Sequence, residues 1–232
     1  MITIITGKPG AGKTLYMTYR ALEMFLKGYD VYANWKLDFS KYVEKKKIDK
    51  SKLGKVYFWS EIPELLHIKG GQIFIDEAQG YFDSREWQEM PPSAKQKFSA
   101  HRHDVKKDKD GKIIPLDIWA GVQHTSNIDK RIRDLGQHFA EVKNMFRFLF
   151  MVSYFELQDL KDDNIRRRAV KRKFFLLSKA KANCYNTHEA VNFIEYPAFP
   201  YHREYEKEYS NDNTGLVPNS NEIPPYSKTS RK

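Results

Sequence analysis

A glycine-rich segment near the start of the chain has the pattern of a phosphate-binding loop. It fits G-x-x-x-x-G-K-[ST] and reads Gly7-Lys8-Pro9-Gly10-Ala11-Gly12-Lys13-Thr14, followed by Leu15. Glycines let backbone N–H groups turn toward a triphosphate, and a helix that begins there adds the positive end of its dipole. We therefore expect residues 7–15 to bind ATP, with Lys13 on the β- and γ-phosphates and the Thr14 hydroxyl on Mg²⁺. The alternative is an ordinary glycine-rich turn between a strand and a helix.

A pair of acids, Asp76 and Glu77, follows the apolar run Ile73-Phe74-Ile75. A magnesium–nucleotide site needs a carboxylate at the end of a strand that neighbours the loop, so Asp76 is predicted to hold the metal. A second carboxylate can orient and deprotonate the attacking water, which predicts a general-base role for Glu77. The pair favours ATP hydrolysis over phosphoryl transfer to a small substrate. Its alternative is a solvated strand end.

Candidates for sensing the phosphate and stabilising the transition state lie further along the chain. Gln123 follows the apolar run 116–122. Ligands of parallel sheets bind beyond the carboxyl ends of the strands, so Gln123 is predicted to sense the γ-phosphate. An arginine finger would come from Arg102, Arg131 or Arg133, in the same subunit or a neighbouring one, and we take Arg102 and Arg133 as the catalytic candidates. The alternative for each of these side chains is a polar group at the protein surface.

Strands that alternate with helices would position these residues. Helical spacing predicts helices over 15–28 and 94–103, and apolar runs predict strands over 2–6, 30–35, 56–59, 72–76, 116–122 and 139–143. This alternation is typical of an α/β fold with a right-handed, mostly parallel sheet flanked by helices. An exposed connection is predicted over 41–55 and a charged turn over 106–112.

The sequence changes in its last third. Phe146, Phe148 and Phe150 alternate with other residues, and a second apolar run covers 174–177. The basic stretch 166–173 lies between them. We therefore predict a β-hairpin that is appended to the sheet.

The composition sets limits on the class of protein. The chain has 232 residues, with 40 Lys and Arg against 30 Asp and Glu, for a net charge of +10. The sequence has neither an apolar run of about 18 residues that would span a membrane nor a secretory signal. Its single cysteine, Cys184, excludes an intramolecular disulfide and a Cys-rich zinc site. We predict one domain over 1–195 and, because aliphatic residues nearly vanish from Tyr201 onward, a flexible polar tail over 196–232.

The surplus of positive charge is concentrated away from the predicted ATP loop. Seven lysines lie within 41–55, and six basic residues lie within 166–173. Since nucleotide binding needs few of these charges, the surplus predicts a polyanionic partner, with DNA first and an anionic membrane surface second. An unpatterned basic surface is the alternative.

Taken together, the motifs resemble the zonula occludens toxin (Zot) family, which includes the gene I assembly ATPases of filamentous phages. The likeness begins at the glycine-rich loop and covers about residues 1–190. Its further segments are Ile73-Phe74-Ile75-Asp76-Glu77-Ala78-Gln79, Ser99-Ala100-His101-Arg102-His103, Trp119-Ala120-Gly121-Val122-Gln123-His124, Ile128-Asp129-Lys130-Arg131-Ile132-Arg133 and Cys184-Tyr185-Asn186-Thr187. The two nucleotide motifs alone are generic, and their ordered combination with the other segments is much more specific.

This resemblance implies a RecA-like P-loop NTPase fold of the FtsK–HerA group, whose members act as oligomers, often hexamers, that move or export DNA. Carried over by position, it implies that Lys13 and Thr14 bind phosphate and Mg²⁺, that Asp76 binds the metal and Glu77 the water, and that Gln123 is the sensor. The leading hypothesis is a Mg²⁺-dependent ATPase motor for viral DNA packaging, virion assembly or extrusion. The expected partners are ATP, DNA, viral coat or assembly proteins and further copies of the chain, with a hexamer favoured.

Two other functions fit parts of the same sequence. An ATP-binding scaffold or switch would recruit DNA or coat protein without productive turnover. A small-molecule P-loop kinase fits poorly, because the stretch 166–173 is the only loose match to an arginine-rich lid.

The expected location follows from a difference from the family. Members that extrude filamentous virions usually continue into a transmembrane helix and an extracytoplasmic segment, whereas this sequence ends at Lys232 with a polar tail. We therefore expect a protein of the host cytoplasm that contacts the inner face of the membrane through a partner. Toxin activity is not implied.

Overall fold

A sheet of nine strands runs through the described part of the computed structural model. The structure describes residues 1–83, 88, 90, 92–108, 111–156 and 169–185. The strands are β1 (Ile2–Thr6), β2 (Val31–Ala33), β3 (Val56–Phe58), β4 (Gly71–Ile75), β5 (Val105–Lys107), β6 (Ile113–Val122), β7 (His138–Phe146), β8 (Leu149–Phe155) and β9 (Lys171–Leu176). The helices are α1 (Lys13–Leu26), α2 (Ser40–Lys46), α3 (Ile62–Leu65), α4 (Gln79–Phe82), α5 (Pro92–Ala100), α6 (Lys130–Leu135) and α7 (Lys179–Ala182).

The strand order is β3-β2-β4-β6-β1-β7-β8-β9, and β5 pairs with the start of β6. Neighbours from β3 to β7 are parallel, whereas β8 and β9 continue the sheet in antiparallel pairs. The predicted mostly parallel α/β sheet with an appended antiparallel strand pair is therefore confirmed. The predicted tail, 196–232, lies outside the described residues, so its boundary stays a prediction. Among the described helices, none has the length and apolar content needed to cross a bilayer.

The strand and helix that flank the glycine-rich loop form as their sequences predict. Central strand β1 lies between β6 and β7, and its residues Ile2, Ile4 and Ile5 are at most 2% exposed. An apolar run of this kind suits a parallel strand that is buried on both faces. Helix α1 buries an apolar stripe that includes Leu22, and the chain turns out of the helix at Gly28, whose φ is 87°. The loop is therefore held between two elements of the core.

The segment 41–55 differs from the exposed connection that was predicted, because it contains α2. Val43 lies one helical turn after Phe39, and both side chains are buried. The Phe39 ring packs on Phe25 of α1, with centroids 5.0 Å apart. Phe39 and Val43 thus anchor this lysine-rich helix on the core, with the partly buried Tyr42 packed beside them.

The charged turn predicted over 106–112 begins with two residues of β5, and its residues 109 and 110 lie outside the described part of the chain. Val105 lies opposite Pro115 and Lys107 opposite Ile113 in an antiparallel pair. All three residues of β5 are exposed. A strand without a buried face has no apolar alternation, which is why the sequence pattern missed it.

A chain of buried hydrogen bonds sets the register between β4 and β6. The Trp119 indole N–H donates to Gln72 Oε1 at 2.9 Å, and Gln72 Nε2 donates to Asp117 Oδ2 at 3.0 Å. The Trp119 ring also stacks on Phe74, with centroids 5.7 Å apart. Because buried polar groups are costly without partners, a slip of either strand is disfavoured. The carboxyl ends of β4 and β6 are thereby held side by side.

The buried ring of Phe139 provides a test of the core. Phe139 and Phe146 lie on the same strand, β7, and are 1% and 63% exposed. Phe139→Ala should lower the free energy of unfolding by about 3–5 kcal/mol, because it leaves a cavity in the core. The matched control, Phe146→Ala, should change this free energy by less than about 0.5 kcal/mol. Urea unfolding followed by circular dichroism measures both, and equal effects would contradict the burial of Phe139.

Candidate functional site

The glycine-rich loop, residues 7–14, connects the carboxyl end of β1 to the first turn of α1. Gly10 and Gly12 have φ of 75° and 92°, in the left-handed region that favours glycine. Gly12 is also the N-cap of α1 and has no side chain to accept hydrogen bonds from the first turn. The positive end of the α1 dipole is therefore left to an anionic ligand.

Close neighbours explain why glycine stands at two positions of the loop. A Cβ at Gly7 would lie 2.6 Å from the carbonyl oxygen of Val142 on β7. A Cβ at Gly12 would lie 2.7 Å from the ring of Phe150 on β8. Both distances are shorter than real Cβ contacts, so β7 and β8 form a wall against which the loop is packed.

The loop side chains divide into a buried cation and an exposed tip. Lys13 is 6% exposed, and its Nζ donates to the carbonyl oxygen of Gly7 at 3.1 Å. Its ammonium group therefore lies across the loop, where a phosphate would meet it. Lys8 and Pro9 are exposed. Leu15 is buried in the core, which leaves only its backbone N–H for the predicted contact with nucleotide.

Thr14 and Asp76 meet where α1 passes the end of β4. The Thr14 hydroxyl donates to Asp76 Oδ2 at 2.5 Å, and the backbone N–H of Glu77 donates to Asp76 Oδ1 at 3.0 Å. Partial burial raises the pKa of the Asp76 carboxyl, and these two hydrogen bonds oppose the rise. The two side chains present oxygen atoms from two elements at one point, and oxygen donors are what Mg²⁺ prefers. The predicted metal ligands are thus brought together and fit a magnesium ion.

Asn34, which follows β2, holds the backbone of Asp76 and was missed by sequence reasoning. The Asp76 N–H donates to Asn34 Oδ1 at 2.7 Å, and Asn34 Nδ2 donates to the Asp76 carbonyl oxygen at 2.9 Å. The Asn34 side chain thereby extends the pairing of β2 with β4 by one residue. A polar residue after a strand of three residues carries no recognisable signal, since its role depends on which strand lies beside it.

Glu77 leaves β4 in the left-handed conformation, with φ of 48°. A residue other than glycine takes this conformation at a cost, and such strain is common at functional sites. The Glu77 carboxylate accepts from the amide of Gln79 and, at 3.4 Å, from Nε2 of Gln123. The next residue, Ala78, donates its N–H to the Gly121 carbonyl oxygen at 2.8 Å, which ties the turn to β6. The structure thus brings Gln123 to Glu77, and it adds Gln79.

The arginine candidates Arg131 and Arg133 lie on α6, after the carboxyl end of β6. Arg133 is half-buried, and its Nη1 donates to the Thr125 carbonyl oxygen at 3.4 Å. Arg131 is exposed, and its backbone N–H donates to Asp129 Oδ1, which caps the helix. Arg133 is therefore attached to the segment that follows Gln123.

Arg102 lies at the opposite end of the sheet. With the Gln137 amide oriented so that its oxygen faces the guanidinium, Arg102 Nε donates to it at 2.8 Å. Gln137 in turn donates its backbone N–H to the Ile2 carbonyl oxygen at the start of β1. The structure therefore does not bring Arg102 to the loop of its own chain, and a catalytic role for it requires a second copy.

The chain is similar to proteins of one known family. The family model described as Zonular occludens toxin (Zot) matches residues 1–182. The crystal structure of the N-terminal domain of zonular occludens toxin from Neisseria meningitidis is 19% identical, with a TM-score of 0.52, and the match covers 80% of this chain and 98% of that one. At this identity the likeness shows a shared fold.

The chain is also similar to the crystal structure of B204, the DNA-packaging ATPase from Sulfolobus Turreted Icosahedral Virus. It is 14% identical, with a TM-score of 0.45, and the match covers 75% of this chain and 95% of that one. No curated protein matches the sequence.

The two hydrogen bonds from Asn34 predict an effect on the metal ligand. In Asn34→Ala the Asp76 backbone loses both contacts, so the Mg²⁺ concentration that half-saturates Mg²⁺-dependent ATP binding should rise about 10-fold. Asn144→Ala, an exposed asparagine on β7, is the control and should leave it unchanged. Magnesium titrations with a fluorescent ATP analogue measure this value. A lower unfolding midpoint with unchanged magnesium dependence would show that Asn34 only supports the fold.

Proposed function

Since the chain belongs to the zonular occludens toxin (Zot) family, we propose that it is a Mg²⁺-dependent ATPase motor for viral DNA packaging, virion assembly or extrusion. The observation that carries the proposal is the contact between Thr14 and Asp76, with 2.5 Å between their oxygens. It joins the first turn of α1 to the end of β4, beside the buried ammonium group of Lys13. A P-loop NTPase uses these three groups for its metal and phosphates.

The residues of the site divide the work of ATP hydrolysis. Lys13 and the first turn of α1 would bind the β- and γ-phosphates, and Thr14 and Asp76 would hold Mg²⁺. Mg²⁺ held by these two residues would supply positive charge that offsets the negative charge developing on the phosphates in the transition state. Glu77 would orient the attacking water and accept its proton. The products are ADP and phosphate.

Gln123 has two partners in this proposal. Its amide contacts the Glu77 carboxylate, at 3.4 Å, and lies at the carboxyl end of β6, next to the strand that carries the acids. A γ-phosphate would compete with Glu77 for this amide, so that hydrolysis returns Gln123 to the carboxylate. The Gln79 amide donates to the same carboxylate.

A motor of this kind needs partners that complete its active site and partners on which it acts. A second copy of the chain would supply the arginine finger, through Arg102 or Arg133, in an oligomer for which we favour a hexamer. The net charge of +10 favours DNA as the molecule that the motor moves. Viral coat or assembly proteins are the proposed protein partners.

Substitution of the proposed base separates binding from hydrolysis. Glu77→Gln should retain ATP binding and lose at least about 100-fold in turnover, because the amide cannot accept a proton from water. Glu44→Gln, on the exposed surface of α2, makes the same chemical change and should keep full activity. Phosphate release and binding of a fluorescent ATP analogue measure the two steps. Equal turnover in the wild type and Glu77→Gln would refute ATP hydrolysis at this site.

Removal of the loop lysine should act at the binding step. Lys13→Ala should abolish both ATP binding and turnover, because the phosphate charge loses its buried partner. Lys45→Ala, an exposed lysine of α2, is the matched control and should bind ATP normally. If the wild type binds ATP tightly yet releases no phosphate, alone or with DNA, the chain is an ATP-binding scaffold and not a motor.

A further inference from the structure

A cleft of about 380 Å³ lies between the helices α1, α2 and α7 and the strands β8 and β9. Its volume falls within the range of about 300–1,000 Å³ that is usual for pockets that take organic ligands. The lining contains neither residues of the glycine-rich loop nor the acid pair. Its lining includes the side chains of Tyr19, Tyr42, Tyr154, Lys173, Phe175 and Lys181.

Aromatic rings that are fixed by their neighbours form the walls of this cleft. The Phe175 ring lies 5.7 Å from that of Tyr16 and 5.4 Å from that of Tyr19, measured between centroids. The hydroxyl groups of Tyr16 and Tyr154 are hydrogen-bonded at 2.5 Å, and the backbone N–H of Ser178 donates to the Tyr19 hydroxyl at 2.7 Å. Rings that are held in place can stack on a flat ligand at little entropic cost.

The charges of the cleft favour an anion. Lys173 Nζ lies 5.7 Å from the ring centroid of Tyr154, and Lys181 Nζ lies 4.9 Å from that of Tyr19. Among the described residues of the lining, the other charged side chains are those of Arg20 and Glu23, which form an ion pair with each other. The two lysines therefore give the aromatic surface a positive charge that the other described residues of the lining do not offset.

We propose that this cleft binds single-stranded nucleic acid, with bases against the aromatic walls and phosphates on Lys173 and Lys181. Single-strand sites combine these two features, because every base offers a flat face and every linkage a negative charge. A duplex keeps its bases paired and stacked, so it cannot offer their faces to the cleft. The choice of nucleic acid rests on the DNA partner of the proposed function. Its test needs no ATP, so a failure here and a failure of ATP hydrolysis are distinguishable.

The contribution of the two lysines to oligonucleotide binding is tested with the full chain and a fluorescent oligothymidylate of 12 nucleotides. In Lys173→Gln with Lys181→Gln, affinity should fall at least 10-fold, and the salt dependence, as the slope of log K against log salt, should fall by about 1.4. The matched control is Lys45→Gln with Lys46→Gln, which removes the same charge from the exposed surface of α2. Fluorescence anisotropy without ATP should show less than a twofold change in this control. Equal losses in the two double variants would refute a specific site.

The contribution of the aromatic side chains to oligonucleotide binding is tested by a separate substitution. Tyr42→Leu removes a half-buried ring from the lining and should weaken oligonucleotide binding about 10-fold with an unchanged salt slope. Its thermal unfolding midpoint, compared with that of the wild type, controls for folding. No loss of affinity in a folded Tyr42→Leu variant would remove base stacking from the proposal.

Three further measurements identify the ligand. A 12-base-pair duplex should bind more weakly than the single strand and should be insensitive to Tyr42→Leu. Displacement of the oligonucleotide by thymidine monophosphate at equal nucleotide concentration would assign the cleft to a free nucleotide. Binding to phosphatidylglycerol vesicles that needs Lys173 and Lys181, when oligonucleotide binding does not, would assign it to a membrane. Either of these last two results overturns the proposal.

Discussion

The parallel direction of β1, β4 and β6 is the constraint on which the candidate site depends. Because the three strands are adjacent and run the same way, their carboxyl ends lie at one edge of the sheet. The glycine-rich loop, the acid pair and Gln123 each follow one of these ends. The buried hydrogen bonds of Trp119 and Gln72 fix β4 against β6, and β1 is buried between β6 and β7. Residues far apart in sequence therefore meet without support from a long loop.

The part of the site that could be predicted is the part that local patterns encode. The glycine spacing, the acids after an apolar run and Gln123 after another such run can each be recognised within a few residues. The alternation of strands and helices then predicted a parallel sheet, in which these segments lie at the same edge. The position of Asn34 was not legible, since it acts through the backbone of a residue 42 positions away. For Arg102, local sequence predicted a role in the site that the three-dimensional path of the chain does not support within one subunit. Its type and position suit a finger, but the path of the chain carries it to the other end of the sheet.

The appended strands β8 and β9 pack directly against the glycine-rich loop. Phe150 of β8 fills the space beside Gly12, and its ring stacks on Phe175 of β9, with centroids 5.0 Å apart. Phe175 in turn contacts the tyrosines of α1 that line the cleft. One row of packed rings thus joins the loop to the cleft. Close packing transmits displacement, so a ligand at either end bears on the same rings.

Gly7 and Gly12, the two crowded glycines of the loop, differ in whether a change elsewhere could make room for a side chain at their positions. The neighbour of Gly7 is the backbone oxygen of Val142, which any residue at 142 would present, so no substitution on β7 makes room. The neighbour of Gly12 is the side chain of Phe150, and a smaller residue there would clear the space. What then remains is the left-handed backbone, which costs roughly 1–2 kcal/mol and which Asn tolerates. A smaller residue at position 150 would therefore relieve the clash at position 12, whereas the clash at position 7 comes from the main chain and no side-chain change relieves it.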